Sequence, residues 1–246
     1  MSTEKTPRRR RTEPAPDGLT HEKIAAVALA LIAEKGLDGF SLRDVARSLG
    51  VYPTALYWYF PNKNALLGEV CTLTMAQAIP PRGRLGWQDW LRALFRQYRK
   101  TMRRHPHMAQ LVGARLLSNS EQRNTDLIER ILQALEDAGC PDAHIVSAYN
   151  AIVAAMCGFP TMELAPVPTE DTEAWQAAMQ ARAHEISALR HPTVARHLPA
   201  LVNRAFILRW QSGHAQPLDS GFETYLAVFI GGLEQQIGVW RAAAAG

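Results

Sequence analysis

Cysteine is scarce in this sequence, and long apolar runs and a secretion signal are missing. The three cysteines among 246 residues lie in no CxxC or Cys/His cluster, so neither a disulfide framework nor a zinc site is predicted. The longest apolar runs, Ile24 to Ala33 and Leu226 to Leu233, are well short of the roughly 20 residues that span a bilayer. No apolar stretch follows the N-terminal charges, as a secretion signal requires. We therefore expect a cytoplasmic protein with core thiols and without a membrane span, metal or cofactor.

Catalytic motifs are also missing. No phosphate-binding glycine loop or nucleophile motif occurs. His105 and His107 flank Pro106, too close together to share a helix face as metal ligands, and the histidines between residues 184 and 197 have no spaced carboxylate or cysteine partner. Hydrophobic residues make up 47% and charged residues 20% of the chain, which excludes wholesale disorder and collagen-like repetition. The composition indicates a globular protein, and we do not expect an enzyme.

The excess positive charge lies at the N-terminus. Residues 1–66 contain ten Lys or Arg and seven Asp or Glu, whereas residues 67–246 contain 17 and 16. Four consecutive arginines, Arg8 to Arg11, follow Pro7, and such a run cannot pack into a core. Residues 1–18 are therefore predicted to be a disordered basic arm. This arm is either a solubilising tail or a cationic segment that contacts DNA.

Residues 19–66 contain three short helical patterns that are joined by tight turns. The first begins at the N-cap Thr20 and stops at Gly36, and the second runs from a capping box at Ser41 to Gly50. The third has Pro53 at its first position, where proline is best tolerated, and ends before Pro61. Such short apolar stripes are buried together only if the second and third helices cross steeply. The pattern therefore predicts a helix-turn-helix.

The third helix carries unusual side chains on the faces that do not point inward. Leu56 and Phe60 are its inward positions, and a solvated helix would carry Lys and Glu elsewhere. Instead it offers a methyl, a hydroxyl and three aromatic groups, which can contact thymine methyls, base edges and phosphates in a major groove. These residues are Pro53, Thr54, Ala55, Tyr57, Trp58 and Tyr59. The alternative is that the aromatic side chains belong to the core.

The stretch from Ser41 to Lys63, with LGV at 49–51, LYW at 56–58 and NK at 62–63, resembles the DNA-binding domain of the tetracycline repressor (TetR) family. A looser likeness to the C-terminal domain of the tetracycline repressor subgroup covers residues 87–240, through WQDWLR at 87–92 and GGLEQQ at 231–236. The resemblance implies a repressor that binds a palindromic operator as a homodimer and is released by a small molecule. Two alternatives remain open: a chromosome-organising protein without an inducer, and a helical enzyme or ligand carrier on the same fold.

The resemblance also implies roles for individual residues. The second helix would contact a base edge, the start of the recognition helix would face bases, and the remaining positions would contact the backbone or neighbouring bases. In that order these residues are Arg43; Pro53, Thr54 and Ala55; and Tyr57, Trp58, Tyr59 and Lys63. Tyr59 stands where the tetracycline repressor has histidine, and the Pro-Thr pair is displaced by one residue. The operator sequence therefore does not carry over.

The rest of the chain, residues 67–246, is predicted to be a helical effector-binding and dimerisation domain. Every long segment after residue 63 has helical periodicity and none shows sustained strand alternation, so we expect an all-α protein. Helices are predicted at 63–79, 87–104, 106–118, 121–138, 142–164, 171–190, 194–212 and 220–242.

The last of these helices has a broad apolar stripe, more than a surface helix needs against its own core. The stripe comprises Phe222, Tyr225, Leu226, Phe229, Ile230, Leu233 and Ile237. Gly231 and Gly232 each cost about 1 kcal/mol relative to alanine in a helix interior, which suggests that another backbone approaches there. Packing within the chain is one explanation. We favour a two-fold interface, because a helix-turn-helix usually reads paired half-sites as a symmetric dimer.

A ligand pocket is suggested by sulfur and aromatic side chains on several central helices, although ordinary cores have the same composition. The candidates are Phe95, Tyr98, Met102, Met108, Leu111, Met156, Phe159, Met162 and Trp175. The resemblance implies that Ile79, Leu94 and Leu111 occupy polar drug- and magnesium-binding positions of the tetracycline repressor. We therefore expect a small apolar effector rather than a magnesium–tetracycline complex.

Overall fold

The computed structural model describes residues 18–116, 125–168 and 170–245. Throughout these residues the secondary structure is helical, which confirms the all-α fold. The predicted basic arm lies outside the described residues, except for Gly18. The chain forms two compact units that divide between Val70 and Cys71.

The described part of the chain contains eleven α-helices and one 3-10 helix at Asp142–His144. The α-helices are α1 (His21–Gly39), α2 (Leu42–Leu49), α3 (Pro53–Leu56), α4 (Lys63–Ala78), α5 (Trp87–Arg104), α6 (Pro106–Leu116), α7 (Thr125–Asp137), α8 (Ile145–Glu163), α9 (Thr172–His184), α10 (Pro192–Leu201) and α11 (Asp219–Ala245).

The helix ends in the first unit follow the predicted capping signals. The Thr20 side chain accepts a hydrogen bond from the Lys23 N–H at 3.2 Å. Ser41 and Asp44 form the reciprocal capping box of α2. Gly50 ends α2 in the left-handed conformation, with φ 68°, which a residue with a side chain rarely adopts. Gly36 interrupts the helical backbone of α1, although the helix resumes and continues to Gly39.

The third helix is shorter than the sequence predicts. It covers only Pro53–Leu56, and a turn at residues 57–59 follows. Pro61 provides the physical reason, because its ring disfavours helical backbone at the preceding residue, Phe60. Leu56 and Phe60 are nevertheless buried, as predicted. Leu56 and Phe60 thus anchor the turn in the core of the first unit, while residues 57–59 between them are not buried.

Helix α5 is the centre of the second unit and packs against α6, α7, α8 and α11. A buried ion pair joins three of these elements. The Arg99 guanidinium donates to both carboxylate oxygens of Glu163 on α8, at 2.8 and 2.6 Å. The same carboxylate accepts the Leu218 N–H, immediately before α11, at 2.8 Å. Because both charges are paired and hydrogen-bonded, the interior can hold them.

The predicted helix at 194–212 is wrong in its second half. Helix α10 ends at Leu201, and residues 202–218 form an irregular segment. Asn203 explains this end, because it adopts a left-handed φ of 57° and its side-chain oxygen accepts the N–H groups of Trp210 and Gln211. The prediction for 171–190 is also too long, since α9 ends at His184.

Close packing fixes this irregular segment against α8. A Cβ atom added to Gly213 would lie 2.0 Å from the carbonyl oxygen of Glu163, which is far inside van der Waals contact. Only glycine fits at this approach. The Arg209 guanidinium donates to the carbonyl oxygens of Gln211 and Gln216, both at 2.8 Å. These hydrogen bonds within the segment stabilise its irregular backbone.

The sequence analysis expected no membrane span, but helix α8 is apolar enough to be a candidate for one. The stretch Asp142–Glu163 is long and apolar enough to cross a bilayer by length and composition, although core helices of soluble proteins pass the same test. Only 28% of its most apolar window is buried within the chain. The helix also ends in the buried Glu163–Arg99 ion pair and packs on four other α-helices. Its exposed apolar side chains therefore indicate a protein surface that a partner can cover.

Candidate DNA-binding surface and interior site

Exposed aromatic side chains flank α3 at both of its ends. The side chain of Tyr52 is 82% exposed and that of Trp58 is 78% exposed, and Tyr57 lies beside them on the surface. The left-handed turn at Gly50 ends α2 and lets Pro53 begin α3 almost at once. Large apolar side chains are seldom exposed in a cluster on a protein that works alone. This cluster therefore indicates a binding surface.

The other predicted base-reading positions share this surface. Pro53 and Thr54 are exposed, Ala55 is half-buried, and Arg43 is exposed on α2. Tyr52 was missed by the sequence analysis, although its place directly before Pro53, at the N-cap of α3, was a usable signal. A methyl, a hydroxyl, a guanidinium and aromatic rings are thus available together for contacts with bases and phosphates.

Tyr59 and Lys63 have partners inside the first unit, which changes their interpretation. The Tyr59 hydroxyl donates to the Leu19 carbonyl oxygen at 2.9 Å. The Lys63 ammonium donates to the carbonyl oxygens of Leu37 at 2.8 Å and Phe40 at 2.9 Å, and lies over the Phe40 ring. Two of its three N–H donors are used there. Tyr59 therefore ties the turn at residues 57–59, and Lys63 the start of α4, to the ends of α1. For Tyr59 this agrees with the alternative that the sequence left open, whereas the role of Lys63 was not predicted.

Most of the predicted ligand-pocket residues form the interior of the second unit. Phe95, Tyr98, Met102, Met108, Met156 and Phe159 are buried, while Leu111 and Trp175 are half-buried. Met162 is 52% exposed and does not belong to this interior. It lies six residues after Met156, and at roughly 100° per residue that spacing turns its side chain about 120° away from Met156 around α8, out of the interior.

The Tyr98 hydroxyl is an unusual polar group in this interior. Its side chain is fully buried, and no oxygen or nitrogen atom of the described residues accepts a hydrogen bond from the hydroxyl, whose nearby partner is the Cys157 thiol, a weak acceptor. Burial, and then the nearby Cys157 thiol, raises the pKa of Tyr98 well above its ordinary value. A buried hydroxyl without a partner is rare because it loses its hydrogen bond to water and gains nothing in exchange. Tyr98 therefore places a polar group, with only a weak thiol partner beside it, in an otherwise apolar interior.

Three phenols share the surroundings of Cys157. Burial is the main cause that raises the pKa of Tyr149 and that of Tyr225, the latter to about 12, and the Cys157 thiol raises both further. Together with Tyr98 they bring aromatic hydroxyls from α5, α8 and α11 to one side of the second unit. None of the three cysteines forms a disulfide; Cys140 is buried and the other two are half-buried.

The predicted dimer stripe on α11 mostly faces its own chain. Phe222, Leu226, Ile230, Leu233 and Ile237 are buried without any partner chain, so the assignment of these five residues to an interface is corrected. The half-buried Tyr225 and Phe229 contact the interior as well. Tyr225 lies 5.4 Å from Phe159 between ring centroids, and Phe229 stacks on Phe95 at 5.4 Å. The burial of this stripe against α5 and α8 explains its breadth.

The opposite face of α11 is the exposed one. Val228 is 70% exposed, and Val239 is also on the surface. Gly231 and Gly232 lie between them, and an added Cβ would meet nothing within 4 Å at either position. The two glycines are therefore not required by packing within this chain. No group of three His, Cys, Asp or Glu side chains is placed to hold a metal ion among the residues described.

Two family models match this chain. Residues 24–70 match the model described as "Bacterial regulatory proteins, tetR family". Residues 79–237, more than half of the chain, match "Tetracyclin repressor-like, C-terminal domain". The tetracycline repressor protein class C of Escherichia coli is 29% identical over 222 residues, which are 88% of this chain and 91% of that protein. Both models agree with the resemblance found in the sequence.

Solved structures show the same fold. The Streptomyces coelicolor TetR family protein ActR in complex with actinorhodin has a TM-score of 0.66 at 18% identity, covering 89% of this chain and 96% of that one. BioQ with its double-stranded DNA operator has a TM-score of 0.54 at 26% identity, covering 67% and 96%. Transcriptional regulators, not enzymes, make up the matched family. The chain therefore belongs to the TetR family and is a DNA-binding transcriptional regulator with a tetracycline-repressor-like C-terminal domain.

Proposed function

We propose that this regulator is a repressor that binds a palindromic operator as a homodimer in the cytoplasm and is released by a small molecule. The observation that carries the DNA-binding part is the set of exposed aromatic side chains on either side of α3, Tyr52, Tyr57 and Trp58, within the stretch that matches the tetR family model. The complex of BioQ with its operator supports the same mode of action by analogy. The operator, homodimer and effector parts of the proposal each rest on a different region of the chain.

On this proposal, the exposed side chains contact DNA, and the side chains that are hydrogen-bonded within the first unit hold them in position. Arg43 contacts a base edge from α2, while Pro53, Thr54, Ala55, Tyr57 and Trp58 contact bases and backbone from the recognition turn. Tyr52 joins them because it is as exposed as Trp58. Tyr59 and Lys63 hold the turn against α1 through the carbonyl oxygens of Leu19, Leu37 and Phe40, and the remaining N–H of Lys63 is available to a phosphate.

The operator part is tested by selecting bound duplexes from a random pool with the full-length protein at near-physiological salt. Arg43→Ala should weaken the selected site by about 1 to 3 kcal/mol and relax the preference at one base pair in each half-site. Arg190→Ala is the matched control, because Arg190 is an exposed arginine of the second unit. No two-fold symmetric motif, or equal losses in both variants, would overturn base reading by Arg43.

The homodimer part rests on two exposed apolar helix faces that pack beside each other in the second unit. Helix α11 exposes Val228, Gly231 and Gly232, and α8, which packs on α11, exposes Val146 and Ala154. Apolar patches of this kind mark interfaces, and a second copy of the chain would cover both faces at once around a two-fold axis. The glycines would then allow the backbones of two α11 helices to approach closely.

The effector part rests on the interior around Tyr98. Apolar and aromatic side chains surround one hydroxyl that has only a thiol beside it as a weak partner, which suits an apolar, aromatic molecule that carries a stronger hydrogen-bond acceptor such as a carbonyl. The ActR complex with actinorhodin is an analogous case on the same fold. Helix α4 begins in the first unit and ends in the second, so it provides a covalent route between effector and operator sites.

Release follows from linkage. A ligand that binds the DNA-incompetent conformation more tightly lowers operator affinity by its differential affinity for the two conformations. The test is titration of the operator complex with aromatic ketones and quinones, monitored by fluorescence anisotropy of the labelled duplex. A saturable loss of the complex supports the proposal. Binding that none of these compounds weakens would favour a regulator without an inducer.

A further inference from the structure

The second unit carries a basic pocket that plays no part in operator or effector binding as proposed above. It is an open groove of about 330 Å³ between α5, the start of α11 and the segment before it. Its lining residues are Arg96, Arg99, Lys100, Arg103, Arg104, His214, Phe222 and Glu223. Five of these eight side chains are Lys or Arg, and the only carboxylate among them is Glu223.

The carboxylates around the pocket do not balance its cations. Arg96 pairs with Glu223, Arg99 with Glu163, and Arg103 with Asp219 at 3.5 Å. Asp219 is shared, because it also lies 2.8 Å from Arg99. Lys100 and Arg104 have no carboxylate within 4 Å among the described residues. The pocket therefore has five cationic groups and three carboxylates, an excess of two positive charges.

The spacing of these cations along α5 is unfavourable for the helix itself. Arg96, Lys100 and Arg104 follow one another at intervals of four, so they lie on one face of the helix and repel. Arg99 and Arg103 repeat the same spacing. Like charges at this interval destabilise a helix, and glutamate at one of the positions would remove the repulsion. Local unfavourable choices of this kind are expected where a site binds something.

Two of the guanidinium groups are held in place. Glu223 binds Arg96 through two hydrogen bonds, at 3.0 and 2.6 Å, and Glu163 holds Arg99 in the same manner. The Arg99 guanidinium also lies over the buried Phe222 ring, 4.5 Å from its centroid. The wall of the pocket is therefore ordered before any ligand arrives, while Lys100 and Arg104 at the rim remain exposed.

We propose that this pocket binds a small molecule with two or more negative charges, either a phosphate ester or a polycarboxylate. Such a ligand would match the excess of two positive charges and would accept hydrogen bonds from Lys100 and Arg104. Arginine binds planar carboxylate and phosphate groups through two N–H donors at once, which favours these two ligand classes over a simple halide. Neither Tyr98 nor Cys157 lines this pocket.

The experiment is isothermal titration of the full-length protein with inorganic pyrophosphate and, separately, with citrate, at constant ionic strength. The double variant Lys100→Gln, Arg104→Gln should raise the Kd for the bound anion at least tenfold, because it removes both unpaired cations. The matched control is Arg190→Gln, Arg196→Gln, which removes two exposed positive charges from the same unit outside the pocket. This control should leave the Kd within twofold of the wild-type value.

The two ligands distinguish the two classes, since saturation by only one of them assigns the pocket to that chemistry. The absence of saturable binding by both anions would overturn the proposal, and so would equal losses in the two double variants. Binding of non-operator duplex DNA that depends on Lys100 and Arg104, without saturable small-anion binding, would also overturn it and assign this face to DNA. If circular dichroism shows that the double variant is unfolded, the single variants Lys100→Gln and Arg104→Gln replace it, each with an expected threefold rise in Kd.

Discussion

The two units of the chain place their aromatic side chains differently, because every exposed Phe, Tyr or Trp residue in the described part of the chain lies in the first unit. In the first unit Tyr52 and Trp58 lie on the surface, whereas in the second unit Trp90 and Tyr98 are fully buried. Burial of aromatic rings stabilises a core, but exposure contributes nothing to the stability of an isolated domain. The difference indicates that the first unit presents Tyr52, Tyr57 and Trp58 to a partner, while Phe40 and Phe60 stabilise its core, and that the second unit uses its buried aromatics for its own core.

Paired tryptophan variants test this contrast most directly. Trp90→Ala should lower the free energy of unfolding by about 3 to 5 kcal/mol, because it removes a fully buried indole whose N–H donates to the Pro80 carbonyl oxygen. Trp58→Ala should change it by less than about 0.5 kcal/mol and yet weaken DNA binding. Urea denaturation of both variants, with operator titrations in parallel, would refute the contrast if their effects on stability were similar.

The next test concerns Val228, an apolar side chain that is exposed on the second unit as the aromatic side chains are on the first. Val228→Glu should weaken the homodimer at least a hundredfold, about 2.7 kcal/mol, since it places two like charges in the proposed interface. Light scattering across a dilution series measures this change. Glu234→Lys is a control on the same helix, and it should leave the dimer intact. A Val228→Glu protein that stays dimeric at nanomolar concentration would exclude this face of α11.

Tight packing of the irregular segment should appear as a smaller loss of stability. Gly213→Ala places a methyl group against the Glu163 carbonyl oxygen and should cost about 1 to 3 kcal/mol, as overpacking does. Gly158→Ala on α8 is the control, because an added Cβ meets nothing within 4 Å there. Thermal unfolding followed by circular dichroism would measure both. Equal stability of the two variants would show that the segment is not held against α8.

The smallest expected effect on stability concerns the Tyr98 hydroxyl in the second unit. Tyr98→Phe should leave the free protein as stable as the wild type, or more stable by about 1 kcal/mol, because it removes a buried donor that has only a weak thiol partner. It should also raise the effector concentration that releases the operator. Unchanged release by an effector that carries a carbonyl would separate Tyr98 from ligand recognition. A clear loss of stability would show that the hydroxyl has a structural partner.

Signals that act over three or four residues were predictable from the sequence. The cap at Thr20, the capping box at Ser41 and the left-handed turn at Gly50 are all confirmed, because each depends on hydrogen bonds between near neighbours. The helix-turn-helix followed from these ends and from the inward positions Leu56 and Phe60. The base-reading residues on it remain predictions, since no DNA contact has been observed for this chain.

Features that depend on distant residues were missed. The Lys63 ammonium binds carbonyl groups 26 and 23 residues earlier, and nothing near Lys63 in the sequence indicates them. Helix α11 has apolar residues on two faces, and only its packing on α5 and α8 decides which face the chain buries. The irregular segment after Leu201 was predicted to be helical because its helical periodicity is good, while the Asn203 side chain captures two backbone N–H groups instead.

The buried ion pair of the second unit has a consequence for synthesis on the ribosome. Glu163 joins Arg99, 64 positions earlier, and the Leu218 N–H, 55 positions later, so this unit closes only when nearly the whole chain has emerged. The first unit is complete by Val70 and has its own core. At roughly 5 to 20 residues per second, the remaining chain takes about 10 to 35 s to follow. In a nascent polypeptide the DNA-binding unit can thus fold well before the second unit, which would bind the ligand, has been synthesised.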